Sequence, residues 1–329
     1  MNHISNPALK ILKQDWPGTP IDNNGRFVNH EFPFIPNFKD LLKWKFSAKP
    51  QNEEKKADTF RLKTQNDVSF LQHNRDCIIW LGHATFFIRL NGISLLIDPV
   101  YYKVPFVNRY AEHVFSLSVF TKLDYLLISH DHQDHCQEKS VKELVKLNPD
   151  VSILTGLNME GLLKSWVPKQ KIQTAGWYQQ FDLPEGLDIY FMASRHWAKR
   201  SANDDNKRLW GGFVFQTNTK SIYCSGDTGY GGHFREANAL FPHLDVAIIG
   251  VGAFKPEWFM SPNHMSPKDG VRAFHELGAK VMIPMHYGTF DLSDEPVGEP
   301  VRILLEMEKK GEINGNLKLL DLGENLMDF

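Results

Sequence analysis

Ile128-Ser129-His130-Asp131-His132-Gln133-Asp134-His135 places four side chains of metal-binding type within six residues. The histidines follow an apolar run, 124–128, that is typical of a buried β-strand. His130, His132 and Asp134 alternate in the sequence, so an extended backbone projects them to one side, and the last histidine comes next. Imidazole nitrogens and carboxylate oxygens suit zinc and related divalent transition ions. The segment therefore predicts a metal site at the end of a strand.

A single ion cannot use four ligands from so short a segment and still keep an open position for water, whereas two adjacent ions can. The alternative is a metal-free surface turn, but random chains rarely place His-x-His-x-Asp-His directly after a strand. Three more candidate ligands, His196, Asp227 and His286, each follow a strand-like run. Because α/β folds place their chemistry in the loops at strand ends, these residues predict additional ligands for a two-ion site.

In this order and context, the candidate ligands resemble the complete ligand set of the metallo-β-lactamase fold hydrolases. Within that superfamily, several motifs are similar to the N-acyl-phosphatidylethanolamine-hydrolysing phospholipase D group, and they span about residues 77–296, roughly two thirds of the chain. The motifs are Trp80-Leu81-Gly82-His83-Ala84-Thr85, Ser194-Arg195-His196-Trp197, Asp204-Asp205-Asn206-Lys207, Gly226-Asp227-Thr228-Gly229-Tyr230, Trp258-Phe259-Met260 and His286-Tyr287-Gly288-Thr289-Phe290.

The resemblance implies an α/β fold, the metallo-β-lactamase αβ/βα sandwich, in which two mixed β-sheets carry helices on their outer faces. It also implies two divalent metal ions, zinc in the first place, with iron or manganese as alternatives. A water that bridges two such ions has a pKa near neutrality and supplies a hydroxide nucleophile. Asp134 is expected to orient this hydroxide or to pass a proton to the leaving alcohol. Asp134 and Asp227 are therefore catalytic candidates as well as ligands. By the resemblance, one ion is held by His130, His132 and His196, the other by Asp134, His135 and His286, and both by a bridging Asp227.

The ligand types separate neighbouring families. A glutamate in place of His132 would indicate the oxygen-reducing di-iron relatives, and a cysteine in place of Asp227 would indicate true β-lactamases, but the sequence has neither. The narrower resemblance implies a phosphodiesterase of phospholipase D type, which releases phosphatidic acid and an N-acylethanolamine from N-acyl-phosphatidylethanolamine-like lipids, and it implies a homodimer. Two alternatives stay open: a soluble-substrate hydrolase of the superfamily, such as a phosphorylated-sugar lactonase or a general phosphodiesterase, and a non-catalytic metal-binding protein.

Several polar residues near the predicted ligands have either a supporting or an ordinary structural role. Asp98 ends a strand, where it either hydrogen-bonds a ligand histidine or caps a turn. His83 is either a similar support or a structural histidine, and we do not count it as a ligand. Cys136 directly follows the ligand segment, and we expect it to be a buried small side chain.

Candidate substrate contacts follow the ligand motifs. Lys199 and Arg200 come directly after His196 and predict contact with an anionic substrate group, or else a solvated loop. The resemblance places His264 at the mouth of the site, as a candidate for a catalytic, substrate-facing role, with local turn bonding as the alternative. Tyr287 is a further candidate for substrate binding.

Composition restricts the class of protein. The 329 residues and 42% hydrophobic content predict one large domain made of two similar halves. A formal net charge of -2 argues against a nucleic-acid partner. The three cysteines show no paired spacing, and residues 1–20 contain no apolar stretch of signal-peptide length. We expect a cytoplasmic protein that is at most peripheral at the inner face of the membrane.

Residues 1–70 predict an amino-terminal extension that packs on a hydrolase domain formed by residues 71–329. Asn37 predicts the cap of a short basic helix, 38–46, with Phe38, Leu41 and Leu42 on one apolar face. The helix either packs on the domain or lies on an anionic membrane surface, so that a phospholipid bilayer is a candidate partner.

One part of the extension departs from the family pattern. His30 follows Asn29 in the segment Val28-Asn29-His30-Glu31, where the pattern has proline. If the extension shapes the entry of a lipid, the departure puts lipid selectivity in question while leaving hydrolysis unaffected.

Hydrophobic periodicity outlines regular elements in the remaining chain. Strands at 85–90 and 93–97 are joined by Asn91-Gly92, which predicts a hairpin turn. Ser266 and Pro267 predict the start of a helix that runs to about residue 277. The aromatic-rich segment 101–120 predicts a wall beside the metal cleft.

Overall fold

Strands with apolar side chains on both faces form two β-sheets at the centre of the molecule. The computed structural model describes residues 2–34, 37–327 and 329. In this part of the chain the strands are β1 (Asn2–Ile4), β2 (Thr19–Ile21), β3 (Cys77–Gly82), β4 (Thr85–Leu90), β5 (Ile93–Ile97), β6 (Tyr125–Ile128), β7 (Ser152–Gly156), β8 (Ile172–Ala175), β9 (Gln179–Gln180), β10 (Asp188–Met192), β11 (Gly212–Gln216), β12 (Ser221–Cys224), β13 (Val246–Gly250), β14 (Val281–Met285), β15 (Asn316–Leu317) and β16 (Asn325–Leu326). The helices are α1 (Phe38–Phe46), α2 (Asn52–Ala57), α3 (Glu138–Leu147), α4 (Glu160–Trp166), α5 (His233–Leu240), α6 (Glu257–Met260), α7 (Pro267–Leu277) and α8 (Glu299–Lys309).

Each large sheet contains parallel and antiparallel strands. The first has the order β16-β3-β4-β5-β6-β7-β8, with β5 to β8 parallel and the strands from β16 to β5 antiparallel. The second has the order β15-β14-β13-β12-β11-β10-β9, with β12 to β15 parallel and β9 to β12 antiparallel. The prediction of an α/β sandwich with two mixed sheets is confirmed.

The alternation of side chains along each strand explains the layers. Consecutive strand residues point to opposite faces of a sheet. In β6, Leu127 belongs to the cluster between the sheets, whereas Leu126 and Ile128 belong to the cluster under α3 and α4. Val141 of α3 and Leu163 of α4 are fully buried in that second cluster. The first sheet therefore has one face on its partner sheet and the other on helices.

Local signals place several elements where the sequence predicts them. Asn91 and Gly92 both have positive φ, as a two-residue hairpin turn between β4 and β5 requires. α7 begins with a capping box in which the Ser266 side chain accepts from the Asp269 amide, and it ends at Gly278 in the left-handed conformation. The short strands β15 and β16 each lie at an outer edge of one large sheet.

The amino-terminal residues pack along the second sheet. The Thr19 side chain accepts a hydrogen bond from the Trp177 amide at 2.9 Å, and the Asn6 amide donates to the Gln179 side chain at 2.8 Å. The separations along the chain are 158 and 173 residues. Such contacts carry no local sequence signal, so the course of this region cannot be predicted from the sequence.

Helix α1 has the predicted bounds but a different packed face. Its Trp44 ring stacks on Phe259 at 5.0 Å between centroids, and its indole N–H donates to Asp294 at 2.8 Å. Leu42, which belongs to the predicted apolar face, is 39% exposed, and Phe46 is 85% exposed. The Phe38 side chain, named in the same prediction, lies outside the described residues. The helix thus both packs on the domain and presents apolar side chains to solvent.

None of the helices in the described ranges combines the length and the apolar composition that a membrane span requires.

Candidate metal centre

The predicted ligands lie in loops that follow strands of both sheets. His130 follows β6, Asp227 follows β12 and His286 follows β14. Parallel strands bring their carboxyl ends to one edge of a sheet, and the two sheets face each other with these edges on the same side. Residues far apart in the chain thereby meet in one cluster.

The first group of ligands consists of His130, His132 and His196, which can each offer a ring nitrogen within 4.8 Å of the others. His132 Nδ1 is 2.9 Å from His130 Nε2 and 3.2 Å from His196 Nε2. The outer nitrogens are held: His130 Nδ1 is 2.9 Å from the Ser129 hydroxyl, and His196 Nδ1 donates to the Asn263 carbonyl at 3.0 Å. Burial holds the pKa of His130 and of His196 well below the usual value, so both rings are neutral and have a lone pair to offer.

The second group consists of Asp134, His135 and His286, and His83 lies within it. His83 Nε2 is 3.1 Å from Asp134 Oδ2, so His83 supports a ligand carboxylate, which is one of the two roles that we predicted for it. Burial, together with the nearby His286, lowers the pKa of His83 to about 3. Burial opposes protonation of His135, but Asp227 and Asp134 outweigh it and raise its pKa well above the usual value. A metal ion held by His135 would therefore displace a proton from this ring.

Asp227 lies between the two groups. Its Oδ1 is 3.1 Å from His286 Nε2, and its Oδ2 is 3.1 Å from His135 Nε2 and 3.8 Å from His196 Nε2. Burial alone would raise the pKa of the Asp227 carboxyl, but His135 and His286 outweigh burial and hold it well below its usual range. An ionised carboxylate at this position lies near histidines of both groups.

The cluster fits a metal site because several of its buried nitrogen and oxygen atoms have no hydrogen-bond partner. Among the described residues, these buried atoms have no hydrogen-bond partner: His132 Nε2, His135 Nε2, Asp227 Oδ1, His286 Nδ1 and His286 Nε2. Buried polar atoms left unpaired are costly, so such a concentration indicates a ligand that the protein itself does not supply. Neutral imidazoles with carboxylates are the donor set of zinc and similar ions.

The position of Asp98 explains how the ligand segment is held. Its carboxylate accepts from the Ser129 amide at 2.7 Å, from the Ser129 hydroxyl at 2.5 Å and from His135 Nδ1 at 2.8 Å. A carboxylate on the outer nitrogen fixes the ring orientation and leaves Nε2 for a metal. Asp98 therefore makes the predicted hydrogen bond to a ligand histidine, and the turn-cap alternative alone does not account for its contacts.

Comparison with protein families adds to this geometry. Residues 94–287, more than half of the chain, match the model of the β-lactamase superfamily domain. The chain belongs to the β-lactamase superfamily. Together with the ligand cluster, this membership makes the protein a metal-dependent hydrolase.

Two relatives of this superfamily member are similar over most of the chain. A Caenorhabditis elegans protein named N-acyl-phosphatidylethanolamine-hydrolyzing phospholipase D 1 is 29% identical over 76% of this chain and 71% of its own length. A mitochondrial Saccharomyces cerevisiae protein with the same activity in its name is 26% identical over 98% of this chain and 71% of its own length. Among solved structures, an isothiocyanate hydrolase from Delia radicum gut bacteria superimposes with a TM-score of 0.61 at 19% identity, over 77% of this chain and 99% of that one. The last likeness concerns the fold alone.

A cleft of about 520 Å³ opens onto the metal centre of this superfamily member. Its floor includes His132, Asp134 and Asp227. Most of the wall residues lie on α1 and in the stretch around α6, namely Leu41, Trp44, Trp258, Phe259, Met260 and Pro262. Phe34, Trp197 and Leu292 complete the walls.

None of the described residues that line this cleft comes from segment 101–120. The prediction that this aromatic-rich segment forms a wall beside the metal cleft is therefore wrong. In that segment Phe106 is fully solvent-exposed, and Tyr101 stacks on His113 at 4.5 Å. The actual wall joins α1 to a stretch more than 200 residues later, and only tertiary contacts such as Trp44–Phe259 bring them together. The motif Trp258-Phe259-Met260 was visible in the sequence, but its partner on α1 was not.

The predicted substrate contacts have mixed outcomes. His264 lines the cleft, with its Nδ1 3.9 Å from Asp227 Oδ2, and burial lowers its pKa to about 4. Lys199 lines the cleft too, but its ammonium pairs with Asp205 at 2.6 Å. Whether either residue contacts substrate stays a prediction.

Two of these predictions are wrong. Arg200 donates to the carbonyls of Asp131 and Cys136 at 2.8 and 2.7 Å and so ties down the ligand segment instead of facing the cleft. Tyr287 is only 5% exposed, and its ring packs 5.0 Å from that of Trp80. Arg200 hydrogen-bonds backbone carbonyls of the adjacent turn. The side chain of Tyr287 points away from the site because that of its neighbour His286 points into it. Cys136 is buried, as expected.

We expect Asp98→Asn to weaken the metal centre while leaving the fold intact. Asp98 has φ 41°, a left-handed conformation that asparagine tolerates. The amide loses one acceptor, so it cannot satisfy both Ser129 and His135, and zinc affinity falls by about 10- to 100-fold. Competition with a chelator measures the loss.

Asp124→Asn provides the matched control for this prediction. Asp124 also joins β5 to β6, since its carboxylate accepts a hydrogen bond from the Ser94 amide at 2.8 Å. This contact lies at the amino-terminal ends of the two strands, opposite to the ends that carry the ligands. Unchanged zinc competition in Asp98→Asn, or an equal loss in Asp124→Asn, would show that Asp98 does not support the ligands.

Proposed function

We propose that this chain is a dinuclear phosphodiesterase of phospholipase D type that acts on N-acyl-phosphatidylethanolamine-like lipids. The observation that carries the proposal is the apolar cleft of about 520 Å³ that opens directly onto His132, Asp134 and Asp227. A cleft walled by tryptophan, phenylalanine, methionine and leucine suits acyl chains. The names of the Caenorhabditis elegans and Saccharomyces cerevisiae relatives support the same substrate class.

The arrangement of ligands supports two ions. Two groups of nitrogen and oxygen donors flank Asp227, and each has enough donors for one ion. Zinc is the first candidate, with iron and manganese as alternatives, since N/O ligands alone do not select among them. When bound, two divalent ions polarise a phosphoryl oxygen and lower the pKa of a water to near neutrality.

The protein's own residues orient and shield the reaction. Asp134 lines the cleft and is held by His83, so its carboxylate is placed to orient the attacking water or pass a proton to the leaving alcohol. His264, at the cleft wall, contacts the phosphodiester or leaving group. Trp197 lies 4.5 Å from the His132 ring and excludes water from one side of the centre.

A soluble-substrate hydrolase is the second candidate, and the charges in the cleft disfavour it. A phosphorylated sugar needs cationic side chains for its phosphate. Among the described lining residues, Lys199 is the cation, and Asp205 already pairs with it. The non-catalytic alternative is disfavoured by the hydrolase membership.

The test is mass spectrometry of products from protein of known metal content, incubated with N-acyl-phosphatidylethanolamine in detergent in H₂¹⁸O. Cleavage at the headgroup side gives N-acylethanolamine and phosphatidic acid labelled in its phosphate. If the protein cleaves bis(p-nitrophenyl) phosphate but releases no N-acylethanolamine, the lipid proposal fails while the phosphodiesterase proposal stands. Cleavage of a phosphorylated-sugar lactone alone would favour the second candidate. The homodimer stays a prediction.

We also propose that α1 contacts an anionic bilayer at the mouth of the cleft. Phe46, Leu42 and Trp258 are exposed apolar side chains there, and Lys43 lies 4.4 Å from the Trp258 ring. Lysines that flank exposed aromatic and aliphatic side chains are typical of helices at anionic lipid surfaces. The apolar cleft beside the patch then gives a lipid a route to the metal centre.

Phe46→Ser tests this contact. Burying a phenylalanine side chain contributes about 1.5 kcal/mol or more, so its loss lowers the partition coefficient onto phosphatidylserine-containing vesicles about tenfold. Cosedimentation measures it. Leu305→Ser, at an exposed position of α8, serves as the control and leaves partitioning unchanged. Equal partitioning of both variants and the wild type would contradict a contact at α1.

A further inference from the structure

Asn29 contacts a metal ligand from a part of the chain that lies outside the matched superfamily domain, residues 94–287. Its side-chain amide donates to the His196 carbonyl at 2.9 Å, and its side-chain oxygen accepts from the His196 amide at 3.1 Å. Asn29 is 3% exposed and His196 is fully buried. One side chain thus pairs with both backbone groups of a single metal ligand across 167 residues of sequence.

The neighbouring residues anchor Asn29 on both sides. The Phe27 amide donates to the Asn206 carbonyl at 2.8 Å, and Asn206 in turn bonds both backbone groups of Ala198. The Glu31 carboxylate accepts from the Gly232 amide at 2.5 Å. Segment 27–31 therefore runs between the loop that carries His196 and the loop that follows Asp227.

The backbone at His196 needs such support. Strand β10 ends at Met192, so regular strand pairing stops before the ligand, and buried backbone groups must find other partners. Asn29 provides them in the way that a neighbouring strand would. The ring is held separately, since His196 Nδ1 donates to the Asn263 carbonyl. Asn29 thus sets where the ligand's Cα lies, and Asn263 sets how the ring is turned.

We propose that Asn29 is a positioning residue for His196, so that the amino-terminal extension forms part of the metal centre. In this view the affinity of the site formed by His130, His132 and His196 depends on docking of segment 27–31, whereas the site formed by Asp134, His135 and His286 does not. The inference rests on the two-ion arrangement of the proposed function but not on its lipid substrate.

Asn29→Ala tests the inference by metal content and affinity, without any substrate. Residues that position a metal ligand typically change metal affinity by about 10- to 100-fold. We expect one of two zinc equivalents to show a dissociation constant raised by that factor in chelator competition, with the other equivalent unchanged. Elemental analysis after dialysis should give close to one equivalent.

Asn148→Ala is the matched control. Asn148 is also buried, and its side chain likewise bonds a backbone amide and backbone carbonyls, those of Leu123 at 2.9 Å, Phe120 at 2.7 Å and Leu144 at 3.0 Å. These groups are not in the ligand loops, so the variant loses at least as many buried hydrogen bonds as Asn29→Ala but keeps both zinc equivalents. A purely structural role for Asn29 predicts the same result for the two alanine variants.

A second variant keeps the inference testable if Asn29→Ala folds poorly. Asn29→Asp retains the acceptor for the His196 amide but sets an oxygen against the His196 carbonyl, so we expect the same selective loss of one equivalent. Two zinc equivalents with wild-type competition in either folded variant would overturn the inference. Because no substrate is used, failure of the lipid assay and failure of this test are separate results.

Discussion

Asp227→Asn is expected to lower kcat/KM for a phosphodiester substrate at least about a hundredfold. Replacing a residue that only supports a metal ligand already lowers metal affinity or activity by about 10- to 100-fold. Asp227 has oxygens 3.1 Å from both His135 and His286 and 3.8 Å from His196, so it contacts both ligand groups. An amide keeps the shape but removes the negative charge and one acceptor oxygen. In the proposed two-ion arrangement, the site would then lack the negative charge that offsets the repulsion between the ions.

The measurement combines steady-state kinetics with elemental analysis of the same protein sample. Asp245→Asn is the control, because Asp245 precedes β13 at the far edge of the same sheet and bonds the Ser221 amide at 2.9 Å. We expect the control to keep its metal content and its rate within about twofold, as a substitution distant from the site should. An Asp227→Asn variant with wild-type rate and metal content would rule out the bridging role.

Arg208→Met is expected to lower the free energy of unfolding by about 3–5 kcal/mol, the usual cost of leaving one partner of a buried ion pair alone. Arg208 Nε lies 2.6 Å from Asp131 Oδ2, and the Asp131 side chain is fully buried. Arg208 also pairs with Asp204. Methionine preserves most of the side-chain volume, so the loss reports the missing charge partner rather than a cavity. Among the described residues, Asp131 then keeps only its bond from the Lys199 amide, at 3.0 Å.

Urea unfolding of metal-free wild type and variant measures this loss without a contribution from metal binding. The control is Lys142→Met, which breaks the pair with Glu138 on α3, where both side chains are about half exposed. An exposed pair at this spacing contributes about 0.5 kcal/mol or less. If Arg208→Met costs no more than the control, the pair with Asp131 is not a source of stability.

Much of the metal centre could be predicted from the sequence because its signals are local. His130, His132 and Asp134 occupy alternate positions directly after a strand, and that spacing alone indicates a metal site. Asn91-Gly92 predicts a hairpin turn because only a few residue types accept two consecutive positive φ angles. The supporting role of Asp98 followed in the same way, from an acidic residue at a strand end.

The roles of Lys199 and Arg200 and the residues of the cleft wall could not be predicted from such local signals. Lys199 and Arg200 are adjacent cations after a ligand, a pattern that fits substrate binding and a solvated loop equally well. In the folded protein, Arg200 instead donates to the carbonyls of Asp131 and Cys136, which only the tertiary structure brings within reach. The same holds for α1, whose amphipathic pattern did not say that Trp44, rather than Leu42, would face the domain.

The sequence by itself determined the donor types of the ligand segment 130–135 and the strand that precedes it, since these depend on periodicity and on spacing within a few residues. The sandwich fold and the full ligand set followed from the resemblance of several motifs to one family. Only the tertiary structure decided that Asn29 holds His196 and that Trp44 bonds Asp294, contacts that span 167 and 250 residues. Such pairs are selected by the packing of distant segments, whose geometry depends on every intervening element, and neither residue type nor local spacing records that choice.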